Sequence, residues 1–172
     1  MARIRSISKR SRKSKTDDLF TRADELEERG KLKSAFRLFL AAAKAGDTSC
    51  QLNVGNYYSD GKGIRRNLSR GLYWYKRAYR RGDASAASNI GITWRNDGKP
   101  KRALSWFRKA AKMEDDEANL EIAKYYIGYE KNPRKAIPHL ERVCQSNKVT
   151  EAGAEEAAQL LKQARRKLKR LA

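Results

Sequence analysis

A segment of about thirteen residues occurs four times along this chain, and that recurrence constrains the fold more than any other feature. GLYWYKRAYRRGD (71–83) aligns with ALSWFRKAAKMED (103–115) at a shift of 32, and with AFRLFLAAAKAGD (35–47) at a shift of 36. A weaker copy, AIPHLERVCQSN, follows at 136–147. Phe39, Tyr75, Phe107 and Leu140 share one position, and Ala42, Ala78, Ala110 and Val143 share another. Asp47, Asp83 and Asp115 close the first three copies. A second segment precedes each copy, with Phe20, Leu52, Ser88 and Leu120 in register. Three residues on come Ala23, Gly55, Gly91 and Ala123, and three further Leu26, Tyr58, Trp94 and Tyr126. Large, small and large residues at i, i+3 and i+6 fit one helix face. The small central residue lets a neighbouring helix approach closely; glycine there costs the helix about 1 kcal/mol, so packing is its reason.

Four copies at a period of 32 to 36 residues, each holding two helical segments, predict an all-α chain: a right-handed α-solenoid of about four helix pairs. The repeats fall at approximately 17–46, 47–82, 83–114 and 115–147, within a repeat region of 16–149. Residues 150–172 read as a basic C-terminal capping helix, with Ala157, Leu160, Leu161, Ala164, Leu168 and Leu171 at helical spacing to shield the last repeat. Residues 1–15, MARIRSISKRSRKSK, hold seven Lys/Arg and no acid, and read as a disordered basic arm, a composition that also suits an organellar transit peptide or a nuclear signal.

The mixture of aromatic and basic residues in 71–83 suits either a surface on which nucleic-acid bases stack or an amphipathic helix. The repeat favours the helix. Gly71, Trp74, Tyr75, Ala78 and Tyr79 fall at i, i+3, i+4, i+7 and i+8, and their equivalents in other copies are mostly Phe, Leu and Ala. Lys76, Arg77, Arg80 and Arg81 take the complementary face. The aromatics are therefore expected mostly in the core, whereas base stacking would require them exposed in a basic groove.

The second copy, LNVGNYYSDGKGIRRNLSRGLYWYKRAYRRGD (52–83), resembles a Sel1-like repeat, a relative of the tetratricopeptide repeat. Leu52, Gly55, Tyr58, Gly61, Gly63, Ile64, Trp74, Tyr75, Lys76, Ala78, Gly82 and Asp83 fill that pattern. Gly71 and Tyr79 depart from its usual alanines. The third copy keeps Gly91, Ala103, Trp106, Phe107, Lys109, Ala110 and Ala111 but lacks the Gly-x-Gly loop. The first and fourth copies share its shorter, tetratricopeptide-like spacing. The resemblance covers about residues 17 to 147 and implies an interaction scaffold rather than a particular biochemical role.

Reactive residues are few. His139 is the single histidine and has no Ser or Asp partner in a recognisable motif. Cys50 and Cys144 lie far apart in sequence with no metal-like neighbours, as expected of two incidental thiols in a reduced, cytoplasmic protein. Gly61-Lys62-Gly63 lacks the spacing and preceding strand of a phosphate loop and reads as an inter-helix turn. The clusters Asp24-Glu25-Glu27-Glu28 and Glu114-Asp115-Asp116-Glu117 read as helix-end acids. No enzyme, metal site or cofactor is expected. No apolar run approaches the ~18 residues of a membrane helix, and the N-terminus has no secretory h-region.

The net charge of +20 bears on partners, and residues 1–15 and 162–172 together carry thirteen Lys/Arg without an acid. The first helix of each pair is expected to line a concave surface holding another protein. Its flanking positions supply Asn53, Asn56, Tyr57, Asn89, Thr93, Glu121, Lys124 and Tyr125 as partner-binding candidates. An Asn amide can donate to and accept from a peptide backbone at once, and tyrosine is enriched at interfaces. A basic strip of Lys76, Arg77, Arg80, Arg81, Arg108, Lys109 and Lys112 is expected on the opposite face. It suits an acidic protein or, together with the tails, a phosphate backbone. An adaptor and an inhibitor of the bacterial immunity kind are the two roles within the first reading, the latter by family analogy alone. A nucleic-acid-associated protein is the alternative.

Overall fold

The computed structural model describes residues 2–170, with side chains from Lys15 onward. The basic arm expected over residues 1–15 therefore lies almost wholly outside the described side chains. Among the described residues there are nine α-helices: α1 (Ala2–Glu28), α2 (Leu32–Ala45), α3 (Thr48–Asp60), α4 (Leu68–Tyr79), α5 (Ala84–Asn96), α6 (Pro100–Lys112), α7 (Glu117–Gly128), α8 (Pro133–Gln145) and α9 (Glu151–Lys169). They form two compact units divided between Asp83 and Ala84. None is long and apolar enough to cross a membrane.

Local chemistry sets the helix ends. Asp47 accepts the Cys50 N–H at 2.7 Å to cap α3, and Asn67 accepts from Arg70 N at 3.0 Å to cap α4. Asn132 and Thr150 do the same for α8 and α9. Each satisfies a first-turn donor with no partner inside the helix. Pro100 and Pro133 open α6 and α8, where the missing N–H costs nothing. The loop after α3 carries the Gly-x-Gly element. Gly63 has φ of +66°, and a Cβ on it would lie 2.4 Å from Leu32 Cβ, so backbone conformation and close packing both select glycine.

In the first unit α3 packs against α2 and α4, and α1 against α2. Ala23, Ala35, Phe39, Ala42, Ala43, Cys50, Val54, Tyr57 and Trp74 form the core. Phe39 sits between the rings of Phe20 (5.8 Å, edge-on) and Tyr57 (5.9 Å). Trp74, Tyr75 and Ala78 are buried while Lys76 and Arg80 are exposed, so the α4 aromatics serve the core as their spacing predicts. Tyr73 lies off that face and stays half exposed.

In the second unit α5 pairs with α6 and α7 with α8; α7 also packs on α6 and α9. Its core holds Ile90, Phe107, Ala110, Leu120, Ile122, Leu140 and Val143. The long helix α9 buries Ala157 and Ala164. His139 is held inside this packing. Its Nδ1 lies 2.9 Å from Asn119 Oδ1, and its ring stacks on Tyr126. Burial, and then the charges of Arg108 and Arg142, keep its pKa below the ordinary histidine value. Its contacts with Asn119 and Tyr126 place it between α7 and α8, where the neutral form is favoured.

Candidate functional site

Three of the partner-binding candidates are not where their spacing puts them. Tyr57, Thr93 and Tyr125 occupy equivalent positions on α3, α5 and α7, and each is at most 9% exposed. Tyr57 packs on Phe36 and Phe39, and its hydroxyl donates to Glu27 Oε2 at 2.7 Å. Tyr125 stacks on Tyr129 at 5.5 Å. None can offer area to a ligand without moving. For Tyr57 and Tyr125 the reason is that α3 and α7 each pack on the helix before as well as the helix after. Their buried arc is therefore wider than the single stripe of a helix facing one neighbour. The stripe residues Leu52, Tyr58 and Trp94 are correspondingly only half buried.

The remaining candidates are accessible. In the first unit Asn53 and Asn56 are half buried on α3. Asn56 Oδ1 accepts the Tyr75 hydroxyl at 2.7 Å, which leaves its amide NH₂ as the group able to meet a ligand. The same unit carries Lys76, Arg80 and Arg81, all exposed, and Arg77, whose guanidinium lies 5.1 Å from the Trp74 ring centroid. In the second unit Arg108 donates to the Tyr126 hydroxyl at 2.7 Å, Lys109 sits 3.9 Å over the Trp106 ring, and Lys112 is exposed. Several cations of the strip are thus engaged with aromatic side chains.

The second unit also contains a cleft of about 310 Å³ formed by α5, α6, α7 and the start of α9. Ile92, Phe107, Ala118, Leu120 and Ala152 give it an apolar lining. Asp115, Glu117, Glu121 and Glu156 line it with carboxylates. Of the partner-binding candidates, Glu121 lines this cleft directly. It pairs with Arg95 and, at 3.4 Å, with Lys124; Lys124 in turn reaches Glu156 on α9 at 2.7 Å. Asn89 is half buried on α5 beside Ser88, which lines the cleft.

Sequence reasoning missed the contribution of Thr150, Gly153 and Glu156, because α9 read as a cap rather than a wall. It also assigned Asp115 and Glu117 to helix-end electrostatics alone. The Asp115 that closes the third copy was the one available signal, since its repeat equivalent Asp47 caps α3. Asp115 instead accepts the Ser88 hydroxyl at 2.6 Å.

The same repeats are found in known proteins. The family described as Sel1 repeat matches residues 29–47, 48–83, 86–115 and 116–147. A Sel1 repeat protein from Oxalobacter formigenes is similar in structure, with a TM-score of 0.60 and 27% identity over 77% of this chain and 53% of that one. A protective antigen with an SLR fold from uropathogenic Escherichia coli aligns at a TM-score of 0.58 and 19% identity, over 77% of this chain and 33% of that one. YrrB, a TPR protein with an unusual peptide-binding site, aligns at 0.56 and 16% identity, over 85% of this chain and 82% of that one. This chain thus spans about half the length of the Oxalobacter protein and a third of the Escherichia one. No curated protein sequence matches significantly. The fold class is an α-solenoid of the Sel1/tetratricopeptide type.

Proposed function

The chain belongs to the Sel1 repeat family, and on that premise we propose that it is a non-enzymatic interaction module, an adaptor or an inhibitor of the immunity kind, holding one protein partner on the first helices of its repeats. Sel1 and tetratricopeptide repeats generally mediate protein–protein interaction. The observation that carries the reading is the cleft of the second unit, whose walls include α5 and α7, the first helices of their pairs. It combines apolar and polar lining side chains, as a recognition site does. Glu121 lines the cleft, Lys124 pairs with Glu121 and Glu156, and Asn89 follows the lining residue Ser88 on α5. Asn53 and Asn56 lie on α3, a first helix of the first unit.

The test is site-specific photo-crosslinking in lysate of the source organism, with the photoreactive residue in place of Asn89, Ile92 or Lys112, with and without nuclease. The reading expects one protein adduct at Asn89 and Ile92 that survives nuclease, and none at Lys112. Adducts at Lys112 alone that vanish with nuclease would transfer the function to the basic face and to nucleic acid.

A further inference from the structure

We propose that the cleft of the second unit receives a Lys or Arg side chain, so that the partner presents a basic residue flanked by apolar ones. This rests on the reading of the first helices as an interaction surface, and names the chemistry of what that surface takes. The expectation of an acidic partner concerned the basic strip on the opposite face, not this cleft.

The first support is the composition of the lining. The chain has 40 basic residues against 20 acidic ones, yet the twelve residues around this cleft include four carboxylates and no Lys or Arg. A local inversion of the overall charge gives an attractive potential for a cation in a molecule that otherwise repels one.

The second support is how those carboxylates are partnered. Glu121 and Glu156 have cationic partners in Arg95 and Lys124. Asp115 and Glu117 have neutral ones. Asp115 accepts the Ser88 hydroxyl at 2.6 Å, and Glu117 accepts the Thr150 backbone N–H at 3.0 Å. Those hydrogen bonds orient the two carboxylates without discharging them. Their position at the start of α7 makes negative charge tolerable there through the helix dipole, but it supplies only a fraction of a positive charge.

The third support is the apolar part of the lining. Ile92 and Ala152, the apolar lining residues that are not buried, offer surface to the methylene stem of a Lys or Arg, whose charged head then meets the acids. At about 310 Å³ the cleft is at the small end for ligand sites, which run from about 300 Å³ upward. It is scaled to one side chain and its neighbours rather than to a folded domain.

The experiment is a titration of the ¹⁵N-labelled full chain with three peptides: acetyl-Leu-Arg-Leu-amide, its Glu counterpart and its norleucine counterpart. The expected result is a set of amide shifts confined to the cleft, at Ser88, Ile92, Ala118, Glu121 and Gly153, with the Arg peptide alone. Raising the salt should weaken them by screening. Asp115→Asn and Glu117→Gln keep the acceptor oxygens for Ser88 and Thr150 while removing the charge. Each should weaken the Arg peptide by about threefold and the pair by about tenfold, the range for partly exposed ion pairs. Should the double variant unfold, the salt dependence of the unaltered chain decides in its place. Equal shifts with the norleucine or Glu peptide, no shift in the cleft, or indifference to salt would overturn the proposal. If crosslinking at Asn89 persists under any of those results, the interaction surface stands and only the cationic occupant is wrong. If crosslinking fails as well, the surface itself is wrong.

Discussion

Gly55 lies against the edge of the Tyr75 ring, so closely that a Cβ on it would stand 2.4 Å from Tyr75 Cε1. Gly91 has the same relation to Phe107, with 2.5 Å between the Cβ position and Cε1. The repeat is thereby visible as a physical device: the small residue of the first helix receives the aromatic ring of the second. Ala23 and Phe39 hold the same two positions one copy earlier, both buried. The Tyr75 ring is held in place, being 3% exposed with its hydroxyl tied to Asn56, whereas Phe107, 2% exposed, has the cleft beside it.

Gly55→Ala and Gly91→Ala should therefore destabilise the chain. Alanine gains about 1 kcal/mol over glycine inside a helix, but overpacking a closed core costs about 1–3 kcal/mol. We expect a net loss of up to about 2 kcal/mol for each, read from urea unfolding midpoints at constant slope. An unchanged midpoint would mean that the rings yield and that glycine is not required at these positions.

Gly128 provides the opposite case. It ends α7 with a negative φ, and nothing lies within 4 Å of where its Cβ would be. Gly128→Ala should stabilise by about 0.4–1 kcal/mol, because it restricts the unfolded chain at no steric cost. A gain here with losses at Gly55 and Gly91, measured in the same assay, separates helix propensity from packing.

The small-residue positions were legible because a repeat compares four solutions to one packing problem. The alternation of core and solvent along α4 was legible for the same reason, with Trp74 and Tyr75 inside and Lys76 and Arg80 outside. The burial of Tyr57 and Tyr125 was not. Helical spacing says which residues share a face, but not how many neighbours the helix has, and α3 and α7 have one on either side. The cleft was illegible for a different reason. Its wall depends on Thr150 of the α8–α9 turn donating its backbone N–H to Glu117, a pairing across 33 residues that leaves no local pattern.

The two thiols should differ sharply in reactivity. Cys50 is fully buried on α3, and Cys144 is exposed on α8. Burial, followed by the hydrogen bond and charge of Asp47, pushes the Cys50 thiol far above its ordinary pKa, so the nucleophilic thiolate is scarce as well as shielded. A disulfide reagent such as dithionitrobenzoate should titrate one thiol per chain promptly under native conditions and the second only in denaturant. Cys144→Ser should remove the fast phase. Two equally fast thiols would contradict the placement of α3 in the core.

The junction of α1 with the loop after α3 should respond to acid through Glu27. Its carboxylate accepts the Tyr57 hydroxyl at 2.7 Å and pairs with Lys62. Burial pushes this carboxyl up, but the hydrogen bonds from Lys62 and Tyr57 and the charge of Lys62 outweigh it and hold the pKa below the ordinary glutamate value. A folded-state pKa lowered in this way contributes stability that is present above the unfolded value, about 4.3, and is lost as pH falls through the folded one. Glu27→Gln keeps an acceptor for Tyr57 and removes the charge. It should be less stable than the parent by about 1 kcal/mol at neutral pH, as for a partly exposed charged hydrogen bond. That gap should close on acidification below the ordinary glutamate range. The other carboxylates titrate in both proteins and cancel in the difference, so paired urea midpoints across pH isolate Glu27. A gap that stays constant into acid would show that its charge contributes nothing and that Tyr57 is held by packing alone.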